Sequence, residues 1–456
     1  MTTIERPVSP QPWLDDRAVW RWHFYAGLFS IPFIVVLAIS GAIYLFKPQV
    51  EAWLDRPYDH LALTGRPSGA EVQVRAALAA VPGATLAAYE VPTAPEAAVR
   101  VIVKRDDARI RVYVHPETLG VLQTLREDDR LMRIIFRLHG QLLMQENVGS
   151  AVVETAASWT IIMIVTGLYL WWPRAQRGWG GILYPRLARG SRLFWRDWHA
   201  VTGFWIAGLT LFLLLTGLPW AKLWGGYFKE VRRLTGTAVV RQDETGDPAR
   251  PPKTTVASGE HGGHGGPSKT TRGANEMPPD YAVLDRVLDT VRPLRLAPPV
   301  LISPPAKGAG NWTAKSDAQN RPLRVNLVLD GATGAVLTRQ DFKDRHVLDR
   351  VVGIGVAAHE GQLFGWPNQV LGALTAGGLL VLVASSVIMW WRRRPPGALG
   401  APETSRPPRR SWGLGVLILL FGLYLPLFAA SLLLVLLAEQ FLLRRIPVAR
   451  KWLGLT

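Results

Sequence analysis

The chain has 456 residues, of which 48% are hydrophobic and 19% charged, with a formal net charge of +17 and no cysteine. A soluble chain of this length would form two to four domains with about 25% charged residues, but here the charges are bunched between long neutral runs. The missing cysteine excludes disulfide staples, thiolate zinc sites, cysteine-ligated iron–sulfur clusters, a catalytic thiol and covalent c-type haem.

Residues 1–46 are read as a polar N-terminus and a first span, since 24–46 carry no charge over 23 residues and would cross about 30 Å of hydrocarbon as a helix. The first 20 residues are polar and the apolar run is too long for a signal-peptide core, so no cleavable signal is expected. Residues 47–130 are a polar segment with an amphipathic helix at 71–80. Alternating strands follow at 109–114 and 120–122, around a turn at His115, Pro116 and Glu117. Such alternation broken by turn residues predicts a hairpin, and the whole segment a small α+β module.

Residues 131–172 combine a short helix, with Leu131, Ile134, Ile135, Leu138 and Leu142 at helical spacing, and a second span at 148–172 whose one charge is Glu154. One straight helix from His139 to Trp172 would be about 50 Å long, too long for a bilayer. The short helix is therefore expected to lie at the interface or fold back into it.

Residues 173–199 form a basic loop, and 200–221 an uncharged third span. Residues 222–345 repeat the grammar of the first polar segment, with a helix at 281–291, strands at 324–329 and 335–337, and a Gly/His-rich insert at 240–279. Residues 346–391 repeat the short helix and span, and 392–411 form a second basic loop. A fifth hydrophobic segment, 412–443, is interrupted by Pro426 and precedes a basic tail at 444–456. One kinked helix and a short hairpin both fit it, and a tail with Arg444, Arg445, Arg450 and Lys451 favours the hairpin.

Six arginines against Asp197 in the first loop, and six against Glu403 in the second, put both loops in the cytoplasm by the positive-inside rule. The N-terminus is then cytoplasmic and the two polar segments lie outside. Because the positive charge is juxtamembrane, topology and anionic lipid account for it, and a nucleic-acid partner is not implied.

The chain also reads as a duplication. Trp20-Arg21-Trp22-His23 matches Trp195-Arg196-Asp197-Trp198-His199, with Gly27 and Gly203 four residues on, and Ser40-Gly41 and Thr216-Gly217 at +17 and +18. Leu138-His139-Gly140-Gln141-Leu142 resembles Ala358-His359-Glu360-Gly361-Gln362-Leu363, with Glu360 as an extra residue.

Four histidines thus stand at corresponding points, and ionisable groups at membrane edges are expensive enough to suggest function. Topology sorts them into a cytoplasmic pair, His23 and His199, and an outer pair, His139 and His359. Neutral imidazoles on facing helices are what two bis-histidine b-type haems require. Arg21, Arg196 and Arg137 are candidate propionate partners, and Gly27 and Gly203 leave room for a macrocycle. In the insert, His261 and His264 are candidate metal ligands, although a flexible linker is the favoured reading.

These motifs, with Thr-Gly-Leu-Tyr-Leu-Trp-Trp at 166–172 and Pro426-Leu427-Phe428 near the end, resemble the PepSY-associated transmembrane family, often labelled iron-regulated membrane proteins. The resemblance implies an internally duplicated four-helix core, a Pro-broken C-terminal segment and two small PepSY-like α+β modules in the periplasm. It also implies a multi-pass protein of the bacterial inner membrane. Characterised relatives are di-haem ferric-siderophore reductases, so the resemblance implies haem ligation by His23, His199, His139 and His359. The expected activity is reduction of a periplasmic ferric siderophore or other chelate, in iron acquisition. The chain has no strand–GxGxxG–helix dinucleotide site, so the donor would be a flavin or nicotinamide reductase in the cytoplasm, or quinol. The alternative is a non-redox PepSY regulatory or sensor protein that binds a periplasmic partner or peptidase.

Overall fold

The computed structural model describes residues 16–173, 178–188, 190–237, 280–306, 310–401 and 412–455. The insert with His261 and His264 lies outside the described residues, as do Arg174, Arg177, Arg189, Arg406, Arg409 and Arg410. The chain divides into two compact units, one holding residues up to Lys47, Ile134–Thr237 and Ala358 onward, the other Pro48–Arg133 and the described residues up to Ala357.

In chain order the helices are α1 (Asp16–Leu45), α2 (Lys47–Asp59), α3 (Ala70–Ala80), α4 (Leu131–Gln141), α5 (Glu146–Trp171), α6 (Ser191–Gly217), α7 (Lys222–Leu234), α8 (Val283–Val291), α9 (Val347–His359), α10 (Trp366–Arg393), α11 (Trp412–Tyr424), α12 (Pro426–Phe441) and α13 (Pro447–Leu453). Among the described residues, five helices are long and apolar enough to cross a membrane: α1, α5, α6 with its extension to Trp220, α10, and Pro426–Arg445. The chain is a multi-pass membrane protein, and its first four spans form a closed ring in which α1 packs on α5 and α10, and α6 on the same two.

The fifth segment is two helices, not one. Leu425 has φ −124° and ψ 81° ahead of Pro426, whose missing N–H cannot continue the ladder. The bend is sharp enough that a Cβ on Gly422 would stand 3.1 Å from that of Ala429. Seven residues along a straight helix would separate them by about 10 Å.

Glu154, the lone carboxylate of the second span, is buried and accepts the backbone N–H groups of Leu223 (3.2 Å) and Trp224 (3.3 Å). Ser150 Oγ accepts that of Lys222 at 3.0 Å. Donors that would be orphaned at the start of α7 are thereby satisfied, and the negative charge sits at the favourable end of the helix dipole.

The second unit carries strands β1 (Thr85–Glu90), β2 (Val99–Arg105), β3 (Ala108–Val114), β4 (Val121–Arg126), β5 (Val300–Ser303), β6 (Trp312–Ser316), β7 (Val325–Leu329) and β8 (Val336–Asp341). The helices and hairpins expected in the two polar segments are present, but not as two modules. All eight strands form one antiparallel sheet, ordered β4-β3-β2-β1-β5-β6-β7-β8. The seam is short, Tyr89 opposite Ile302 and Glu90 opposite Leu301, continued by Val91 N–H to Val300 O at 2.8 Å. Each half alone would expose the edge of its first strand, and pairing those two edges removes both. One core then serves both halves, with Val74 and Ala77 of α3 and Leu284, Val287 and Leu288 of α8 packed with Val101, Val112, Ile302 and Leu327.

On the first half of this sheet a buried ion network accompanies the apolar core. The Arg111 guanidinium meets Glu90 at 2.6 Å and Glu127 at 2.5 Å, while Arg100 meets Asp59 at 2.5 Å and Asp55 at 3.3 Å. Burial alone would raise the Glu127 carboxyl, but Arg111 and Arg130 outweigh it and hold the group below the usual carboxylate range.

Candidate functional site

The first unit brings the four histidines singled out from the sequence together in two pairs. His23 of α1 faces His199 of α6 with ring centroids 6.4 Å apart and planes crossed at 83°. His139 at the end of α4 faces His359 at the end of α9, also at 6.4 Å, with planes at 82°. His23 lies near the first end of α1 and Ser40, which touches His139, near its last end, so the pairs stand at opposite ends of the ring.

Short helices deliver the second pair. After α4 the chain reverses through Leu142 (φ 52°) and Leu143 (φ 58°), and α5 then begins at Glu146. Two adjacent leucines in the left-handed region carry a backbone penalty of about 1–2 kcal/mol each. The corresponding turn after α9 places glycines there instead, Gly361 (φ 74°) and Gly365 (φ 72°). Leu45, at the end of α1, packs against Gly361 and Gly372, and its carbonyl accepts hydrogen bonds from Gln362 (2.9 Å) and Gln369 (3.0 Å). An orphan helix-end carbonyl is thus satisfied without a charge.

Every ring is held from behind at Nδ1. His23 bonds to Met163 O (3.0 Å) and Thr166 Oγ1 (3.2 Å), and His199 to Leu382 O (3.3 Å) and Ser385 Oγ (3.2 Å). His139 bonds to Ser40 Oγ (3.1 Å) and the Leu37 backbone, and His359 to Thr216 Oγ1 (3.0 Å) and the Leu213 backbone. A carbonyl can only accept, so the proton is assigned to Nδ1 in all four rings, leaving the Nε2 lone pair as the free ligating position.

Glycines shape three of the four cradles. A Cβ on Gly167 would come within 3.0 Å of His23 Cε1, one on Gly41 within 3.0 Å of His139 Cε1, and one on Gly217 within 3.5 Å of His359 Cε1. Gly27 and Gly203 face the adjoining helices, where a Cβ would meet Met163 Sδ at 3.7 Å and Leu382 Cδ2 at 3.6 Å. Both lie where α1 approaches α5 and α6 approaches α10, beside the residues whose carbonyls hold His23 and His199.

The arginines singled out from the sequence are differently engaged. Arg21 donates to Gly454 O at 2.9 Å and lies over the Tyr25 ring, fastening the C-terminal helix to α1. Arg196 pairs with Asp197 at 2.9 Å, and the fully buried Asp197 also takes Arg186 at 2.7 Å. Arg137 is half-buried on α4.

Sequence reasoning did not assign Thr166, Ser385, Ser40 and Thr216 to the histidines. Their signal was a Ser or Thr recurring in every span, usually followed by Gly, and facing spans were needed to show which ring each one meets.

A family model for the PepSY-associated TM region matches residues 20–393. A search of curated proteins finds no match.

Proposed function

The chain belongs to the PepSY-associated transmembrane family, and from that premise we propose that it is a di-haem electron-transfer protein that reduces a periplasmic ferric siderophore or other ferric chelate. The observation that carries the reading is the pair of crossed, Nδ1-anchored histidine couples at opposite ends of the four-span ring. An imidazole bound at about 2 Å through one nitrogen has its ring centre about 3 Å from the metal, so two imidazoles on one iron stand about 6 Å apart. Both couples are spaced at 6.4 Å. Neutral nitrogen donors in an apolar bundle suit b-type haem, with His23 and His199 holding one and His139 and His359 the other.

A haem bound there supplies reversible one-electron chemistry at iron. The chain's own residues do the rest: the four Nε2 atoms ligate, the Nδ1–H bonds fix ring orientation, and the glycine cradles admit the rings closely. Arg137 is the arginine best suited to a propionate, since Arg196 is already paired with Asp197 and Arg21 with Gly454. Each electron reduces one Fe(III) of the chelate to Fe(II), so a two-electron donor such as quinol serves two ferric ions and releases two protons.

The corresponding helices also support an internal duplication, because exchanging α1 with α6 and α5 with α10 preserves the ring and both histidine couples. The arginine-rich loops support an inner-membrane orientation with the N-terminus in the cytoplasm, which puts His139 and His359 on the periplasmic side.

Reduced-minus-oxidised visible spectra of the purified protein, with haem-to-protein stoichiometry, test the reading. About two b-type haems per chain are expected, and a colourless protein would leave the non-redox PepSY role standing in its place. His139→Ala and His359→Ala should each remove the same one haem, and His23→Ala or His199→Ala the other. Losses that couple His23 with His139 would refute the pairing.

A further inference from the structure

Each histidine leans on a helix other than its own and meets the same three-part surface: a backbone group, a hydroxyl three residues later, and a small residue after that. The sets are Met163, Thr166 and Gly167 for His23, and Leu37, Ser40 and Gly41 for His139. Leu213, Thr216 and Gly217 serve His359. For His199 the set is Leu382, Ser385 and, where glycine would stand, Ser386.

The hydroxyl protons are already committed. Thr166 donates to Ile162 O at 2.8 Å, Ser40 to Val36 O at 2.7 Å, Thr216 to Phe212 O at 2.7 Å and Ser385 to Leu382 O at 3.0 Å. Each oxygen therefore presents lone pairs to its imidazole and can only accept from Nδ1–H. Ser and Thr in apolar helices commonly bond back to their own backbone, but that bond alone gives no reason for all four to meet a histidine.

From this geometry we infer that Thr166, Ser385, Ser40 and Thr216 are positioning residues that lock the rotation of each ring, keep the two planes of a couple crossed, and raise the basicity of the ligating Nε2. The inference rests on the di-haem reading. A ligand whose second nitrogen donates a strong hydrogen bond is a better electron donor and favours the ferric state, so each hydroxyl lowers the potential of its own centre. Crossed imidazole planes also give ferric low-spin iron a highly anisotropic EPR signal, distinct from that of parallel planes.

The test uses the full chain in detergent, with Thr166→Val and Thr166→Ser for one couple and Thr216→Val and Thr216→Ser for the other. Valine keeps the shape and removes the acceptor, whereas serine keeps the acceptor. The expected result is that each valine variant shifts the EPR signal of its own centre toward the parallel-plane type and raises that centre's midpoint potential, leaving the other centre unmoved. The serine variants should restore both readouts. Loss of one haem from a valine variant and its return in the serine variant carries the same meaning. The inference is overturned if the wild type holds two haems and the valine variants leave spectra and potentials unchanged, or if serine behaves like valine. A haem-free wild type overturns the di-haem reading and this inference together.

Discussion

Replacing Gly41 with alanine sets a Cβ 3.0 Å from Cε1 of His139, whereas the same change at Gly217 sets one 3.5 Å from Cε1 of His359. Carbon atoms are most comfortable at about 3.5–4.0 Å, so the first substitution overlaps by about half an ångström or more and the second makes ordinary contact. Without a bound metal the His139 ring can retreat. With Nε2 fixed on iron and Nδ1 fixed on Ser40 it cannot, so an overpacking cost of about 1–3 kcal/mol falls on the loaded state alone. The helix-propensity gain of alanine over glycine stabilises loaded and empty states alike and cancels in the affinity. On the di-haem reading, haem affinity at the His139–His359 couple should therefore fall by about 5- to 150-fold in Gly41→Ala and stay near wild type in Gly217→Ala. Haem titration of the apoprotein, followed by absorbance, measures both. Equal affinities for the two variants would refute the claim that Gly41 sets the position of the His139 ring.

Three further outcomes are expected. Arg111→Ala takes away the partner of Glu90 and leaves Glu127 with Arg130 alone, and should cost about 3–5 kcal/mol, visible as a lower unfolding temperature of the full chain. Because the folded Glu127 carboxyl is held below its ordinary range, its contribution is present above the unfolded carboxylate pKa and is lost as pH falls through the lower folded value. Melting curves in that acid window should show a steeper loss for wild type than for Glu127→Gln. Glu154→Ala should uncap α7 and leave the Leu223 and Trp224 N–H groups unpaired, at about 1–3 kcal/mol. Hydrogen exchange at the first turn of α7 reports it, and unchanged protection there would count against the cap.

The spans were legible because composition decides them: a run such as 24–46 has no soluble explanation once it recurs. The break ahead of Pro426 was legible too, but its angle depends on the contact between Gly422 and Ala429, which no local rule supplies. The merged sheet was hidden because alternation says which face a residue occupies and nothing about which edge its strand will join. Tyr89 meets Ile302 across more than two hundred residues. The histidines stood out through repetition, while their hydroxyl partners did not, because a Ser-Gly or Thr-Gly step within a span also marks ordinary helix packing. Glu154 was conspicuous as a charge in an apolar run, yet its role depended on where α7 begins.

The number seventeen has a mechanical consequence. On α1 it separates His23 from Ser40, and on α6 it separates His199 from Thr216, about 26 Å at 1.5 Å per residue. Each helix is thus a ruler with a histidine of one couple at one mark and an acceptor for the other couple at the second, and its length is close to the roughly 30 Å of hydrocarbon. Adding one residue between the marks would turn the far mark by about 100° and point it at the wrong neighbour. The separation can therefore change only by nearly whole turns, about 5 Å at a time and in both rulers together. A bilayer slightly thicker or thinner than the ruler must be met by helix tilt or by the lipid, since this chain has no intermediate length to offer.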